Sequence, residues 1–144
     1  MNQQKPIVGI TMGDAAGVGP EIILKSLAKE EMYKISRPLV IGDSKILERA
    51  KSFVNSELKV ESVNAENLEN LAYEYGTVYC LDLNLLSVEL PVGQVSKEAG
   101  HAAFKYLETA IELAKQQKIS AICTAPLNKE AFQKGGHKYP GHTE

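Results

Sequence analysis

The sequence carries no excess of positive charge. Its 144 residues hold 16 Lys and Arg against 18 Asp and Glu, a formal net charge of −2. Nucleic acid and anionic membranes both select a basic face, so neither is expected as a partner. Cysteine is scarce. Cys80 and Cys123 are the two present, too few for a disulfide framework and without metal-ligand spacing. Each sits in an apolar run, which predicts buried, reduced side chains in a cytoplasmic protein. Long apolar runs are missing as well. No stretch approaches the length that spans a bilayer, and Met1 to Pro6 has no apolar segment of the leader kind. Repeats and low-complexity segments are absent. What is there is ordinary: 44% hydrophobic and 24% charged residues, the composition of a soluble globular domain large enough to bury a core.

Strand-like and helix-like segments alternate along the chain. Ile7 to Met12 is a β-rich apolar run that stops at Gly13-Asp14. Gly19-Pro20-Glu21 then opens a helix, with proline where its missing N–H costs nothing and Glu21 at the positive end of the dipole. Pro38 to Asp43 reads as a second strand, and Asp43 or Ser44 is placed to cap a helix over 45–53. A third strand is expected over 58–63, a loop with a helical turn over 64–75, and a fourth strand over 77–83. Ser96 is placed to cap the longest helix, about 97–117. There Ala99, Ala102, Ala103, Tyr106, Leu107, Ala110, Leu113 and Ala114 recur at helical spacing. Ser120 to Ala125 is a fifth strand ended by Pro126, and Asn128 is placed to cap a last helix over 129–134. This alternation predicts an α/β fold, a mostly parallel sheet flanked by helices.

In such sheets ligands bind beyond the carboxyl ends of the strands. Two strand ends are chemically loaded, Gly13-Asp14 and Thr124-Ala125-Pro126, and with the terminal residues they make three segments that could carry chemistry. Gly13-Asp14-Ala15-Ala16-Gly17-Val18-Gly19 puts three glycines between a strand and a helix, which leaves N–H groups for an anion. It has neither the dinucleotide-fold spacing nor the Lys-Ser/Thr of a P-loop. On chemistry alone a tight turn with Asp14 satisfying backbone donors is favoured over a ligand role. Thr124-Ala125-Pro126-Leu127-Asn128-Lys129-Glu130 ends the fifth strand. Tyr139-Pro140-Gly141-His142-Thr143-Glu144 sets His142 and Thr143 side by side, a pair suited to a polyol, carboxylate or phosphate. His101 and His137 form no metal motif with them.

Taken in order and at these intervals, the three segments resemble the 4-hydroxythreonine-4-phosphate dehydrogenase family of vitamin B6 (pyridoxine) biosynthesis. Ala15 stands where that family usually has proline. The resemblance implies a two-domain fold like isocitrate and isopropylmalate dehydrogenases. Residues 1–126 would form the N-terminal α/β domain, and 127–144 the start of the substrate and metal region. It also implies a homodimer, NAD or NADP as cofactor, and a divalent metal ion, zinc, magnesium or cobalt, whose ligands are not in this chain. The implied reaction oxidises the secondary alcohol of 4-phosphooxy-L-threonine. Decarboxylation to 3-amino-2-oxopropyl phosphate follows. By the same resemblance His142 and Thr143 contact the substrate, a small phosphorylated hydroxy acid.

No catalytic role carries over to Asp14, Lys129 or the glycine loop. The chain is expected to be the N-terminal part of such an enzyme, inactive alone. D-threonate or D-erythronate 4-phosphate is the alternative substrate. A non-catalytic phosphate- or nucleotide-binding module is the alternative class. A response-regulator-like domain, with Asp14, Asp43 and Asp82 as an acidic cluster, is a third reading.

Overall fold

The computed structural model describes residues 5–125. Five strands form one sheet in the order β3-β4-β2-β1-β5, and every pair is parallel. They are β1 (Ile7–Thr11), β2 (Arg37–Gly42), β3 (Lys59–Val63), β4 (Thr77–Asp82) and β5 (Ala121–Thr124). The helices are α1 (Gly19–Leu27), α2 (Glu31–Ile35), α3 (Ser44–Lys51) and α4 (Lys97–Lys115), with a 3₁₀ turn at Leu68–Asn70.

Right-handed crossovers explain the layering. The chain moves from β1 to β2 and on to β3 in one direction, and α1 and α3 pack against each other along that path. It moves from β4 to β5 the other way, which puts α4 on the opposite face, lying across β2, β1 and β5. The middle strand β2 is therefore covered twice, and Pro38 to Gly42 are all buried. β4 is nearly as well sealed.

The helix ends follow local chemistry. Pro20 sits in the first turn of α1 with Glu21 beside it. Ser96 Oγ accepts the Ala99 N–H at 3.1 Å and caps α4, as its position predicts. The alanine face of α4 is buried with Tyr106, while Lys97, Glu98, Glu108 and Glu112 stay exposed.

Three expectations need correction. Asp43 occupies the position before α3 but its side chain caps nothing; it is turned instead toward α4 and the segment after β4, as described below. Helix α2 was not expected. It is five residues long, too short for a periodic signal, and is anchored by the buried Tyr33. Cys80 is buried, as expected, but Cys123 is exposed. β5 lies at one edge of the sheet among the described residues, and in an apolar run at a sheet edge sequence alone does not distinguish a covered face from an open one. The boundary expected at 126–127 and the last helix lie outside the described residues. Among those residues no helix is long and apolar enough to cross a membrane.

Candidate active site

The strands all point one way, so their carboxyl ends share one edge, where β1 gives onto Met12-Gly13-Asp14, β2 onto Asp43, β4 onto Leu83 and β5 onto Ala125. The onward connections of the neighbours β2 and β4 diverge to opposite faces. That divergence is where a crevice opens in folds of this kind.

Here the crevice between β2 and β4 is filled by the protein itself. Asp43 is fully buried. Its Oδ1 accepts the Tyr106 hydroxyl at 2.6 Å, and its Oδ2 accepts the backbone N–H groups of Leu85 (2.7 Å) and Leu86 (2.9 Å). Three donors satisfy a carboxylate that has no ion pair among the described residues. Burial and the adjoining Asp43 charge raise the Tyr106 hydroxyl far above an ordinary phenol, so it stays a donor. On β4, Asp82 Oδ1 accepts the N–H groups of Ser44 (3.1 Å) and Asn84 (3.0 Å). The first turn of α3 is thus capped from the neighbouring strand rather than by Asp43. Ser44 and Ser62 share a 2.7 Å hydroxyl hydrogen bond beside it. Burial pushes the neighbouring Cys80 thiol up to about 12, which leaves it unreactive at neutral pH. A phosphoacceptor aspartate needs to be open, and Asp43 is sealed, so the response-regulator reading fails here.

The glycine loop lies at the end of β1. Gly13 turns the chain at φ 71°. Asp14 is buried, and its Oδ1 accepts the Ala16 N–H at 3.1 Å, while the Gly17 N–H reaches the Asp14 carbonyl at 3.0 Å. The satisfied-turn account of Asp14 therefore holds. Desolvation raises the Asp14 carboxyl above its ordinary value, only partly offset by that N–H. Gly19 is needed for close approach: a Cβ there would run into the Met12 carbonyl oxygen. Thr11 Oγ1, at the end of β1, is buried and finds no partner among the described residues.

A cavity of about 280 Å³ opens between the segment after β4 and the first turns of α4, lined by Leu85, Lys97, Glu98, His101 and Ala102. Another, of about 320 Å³, lies at the far, amino-terminal end of the strands between Leu24, Leu58 and Tyr75, away from the strand-end loops. Among the described residues no three His, Cys, Asp or Glu side chains gather as a metal site. The acidic groups at the edge are taken up by backbone donors and by Tyr106, which does not fit a resident cation. His142 and Thr143, the assigned substrate contacts, lie outside the described residues, as do Asn128, Lys129 and His137. Sequence reasoning missed the Asp43–Tyr106 pair. Its one signal was a tyrosine set among alanines on the buried face of α4.

Parallel strands joined by crossover helices define an open α/β fold. Comparison with known proteins narrows this. Residues 34–144 match the sequence model of the pyridoxal phosphate biosynthetic protein PdxA, and this chain belongs to that family. A D-threonate 4-phosphate dehydrogenase from Cupriavidus necator is 52% identical over 144 residues, covering 100% of this chain and 43% of the relative. A relative from Oceanobacillus iheyensis, which carries the same activity as a provisional name, is 56% identical over 98% of this chain and 42% of its own length. Among solved structures, a 4-hydroxythreonine-4-phosphate dehydrogenase from Burkholderia phymatum aligns with a TM-score of 0.92 at 56% identity, over 99% of this chain and 42% of that one. The enzyme of the same name from Klebsiella pneumoniae aligns at 0.88 and 34%, over 99% and 43%. The chain spans less than half the length of these relatives.

Proposed function

We propose that this chain is the amino-terminal part of an NAD-dependent dehydrogenase that oxidises the secondary alcohol of a 4-phosphorylated four-carbon hydroxy acid, D-threonate 4-phosphate in the first place. The supporting observation is the 52% identity, along the whole chain, to the Cupriavidus necator enzyme of that name. The sequence motifs put 4-phosphooxy-L-threonine first. It remains the second reading, supported by the name of the Burkholderia phymatum structure. The two substrates differ in an amino group, an ammonium at neutral pH. At the described edge the Asp43 carboxylate is sealed by three donors and so is closed to that cation.

In this reading His142 and Thr143, in the region 127–144 that begins the second domain, contact the substrate. The described residues do the positioning. The glycine loop shapes the end of β1, and the Asp43–Tyr106 contact locks α4 and the segment after β4 against the sheet. NAD, or NADP, would accept the hydride. A divalent cation, when bound, would lower the pKa of the alcohol; the described residues supply no ligand set for it, and the chemistry assigned to them does not run through it. The active enzyme is a cytoplasmic homodimer in this reading, and the 144 residues alone do not turn over.

The test follows NAD reduction by the enzyme that carries this chain, on D-threonate 4-phosphate, D-erythronate 4-phosphate and 4-phosphooxy-L-threonine. The highest kcat/KM is expected for the first. Product from the 144-residue chain alone, with substrate and divalent metal supplied, would show that the remainder is not required.

A further inference from the structure

Residues 83–96, between β4 and α4, hold no helix or strand, yet they are tied down along their length. Asp43 takes the N–H groups of Leu85 and Leu86 at one end. In the middle Arg49, on α3, donates from Nη1 to the carbonyls of Val88 (2.7 Å) and Leu90 (2.6 Å). Further on, the Gly93 N–H reaches the Ala16 carbonyl in the glycine loop at 2.6 Å. Leu86 and Leu90 are buried beneath this strap, while Val88 and Val92 remain half exposed.

The use of Arg49 is unusual. Guanidinium groups that leave water are ordinarily matched with a carboxylate or phosphate. Among the described residues Arg49 has no ion pair, and its Nε is buried without a partner. Its hydrogen-bonding is directed at two carbonyls of an irregular segment. The space it shares with Ala15, Gly17, Glu21, Phe53 and Val92 is about 10 Å³, at the lower limit for one water molecule, and Glu21 lines it without an ion pair to the guanidinium. The guanidinium is therefore wedged between α3, the strap and the glycine loop. Charge-assisted bonds at such a site are worth more than neutral ones.

We propose that Arg49 is a positioning residue: by clamping the strap through Val88 and Leu90 it keeps Gly93 on Ala16 and so fixes the Gly13–Gly19 turn at the end of β1. The functional weight of that turn rests on the reading of this edge as the active site. The clamp itself is testable whether or not the protein turns over.

Amide exchange in the native state separates the clamp from a general contribution to stability, because local openings expose only their own amides. In Arg49→Met, a neutral side chain of similar reach, the amides of Gly93 and Gly17 are expected to exchange about tenfold faster, with Val40 and Cys80 in the central strands unchanged. Arg49→Lys, which returns one charged donor, is expected to recover part of the protection. Unchanged Gly93 and Gly17 in Arg49→Met would overturn the proposal, as would a common acceleration of all four amides. If Arg49→Met does not fold, Arg49→Lys decides. A selective loss at Gly93 of about threefold supports the clamp, and wild-type protection there overturns it.

Discussion

Tyr106 Oη donates to Asp43 Oδ1 at 2.6 Å, and this contact joins the longest helix to the end of the middle strand with both side chains closed to solvent. The two residues lie 63 positions apart. Asp43 is also where Leu85 and Leu86 terminate their N–H groups, so one carboxylate gathers three parts of the chain. Tyr106→Phe leaves its Oδ1 without a donor. It is expected to cost about 2 kcal/mol, the range of a hydrogen bond to a charged group. Asp43→Ala orphans three donors at once and should cost more. Urea unfolding of both variants checks the order. Equal losses would mean that the backbone N–H groups find other partners.

Gly19 and Gly9 differ in what surrounds them. A methyl group on Gly19 meets backbone, the Met12 carbonyl oxygen. On Gly9 it meets the tip of the Ile119 side chain at 2.7 Å, which can rotate away. Gly19→Ala is expected at the upper end of the overpacking range, about 3 kcal/mol, and Gly9→Ala at or below about 1 kcal/mol. Thermal or urea unfolding ranks them. The reverse order would show that the turn before α1 yields more easily than the sheet.

The Asp14 carboxyl is raised from its ordinary 3.8 by burial. The folded state therefore holds this proton more tightly than the unfolded chain. The stability so contributed is fully present below pH 3.8 and is lost as pH rises through the folded value. At neutral pH the charge is a net cost, and Asp14→Asn removes it while keeping an oxygen for the Ala16 N–H. That variant is expected to melt at or above the parent temperature at neutral pH, with the gap closing toward acid. A variant that melts lower at neutral pH would show that the negative charge is needed in the fold.

Ser96 carries the one side-chain cap resolved on a helix start among the described residues. Ser96→Ala should cost about 1 kcal/mol. Ser96→Asp, which keeps an acceptor and suits the helix dipole, should cost little. Melting curves of the pair separate capping from packing, since loss in both would point to packing of the buried serine.

The thiols give a chemical check on the sheet edge. Cys123 is exposed, whereas Cys80 is buried with its thiol raised to about 12. A thiol reagent at neutral pH is expected to label the native chain once, and Cys123→Ser to abolish the labelling. Labelling that survives that substitution would place Cys80 within reach of solvent.

Much of this architecture was legible in local chemistry. Pro20 and Glu21 mark the start of α1, Ser96 marks α4, and apolar runs bounded by glycine, proline and aspartate mark four of the five strands, while β3 shows only as a weak alternation over 58–63. Strand order was not legible, because pairing depends on crossover direction and not on composition. Asp43 misled for a related reason: its position matches an N-cap, and only the fold brings Tyr106 and the N–H groups of Leu85 and Leu86 to it. Cys123 misled because openness at a sheet edge is a property of neighbours. The family showed in its three motifs, while the residues assigned to the substrate, His142 and Thr143, lie beyond the described part.

The most direct test of the central claim compares substrates on the enzyme that carries this chain, with NAD reduction as the readout and divalent metal supplied. The account predicts oxidation of D-threonate 4-phosphate with a kcat/KM above that for 4-phosphooxy-L-threonine. Preference for the amino-bearing substrate, or no NAD reduction with either, would contradict it.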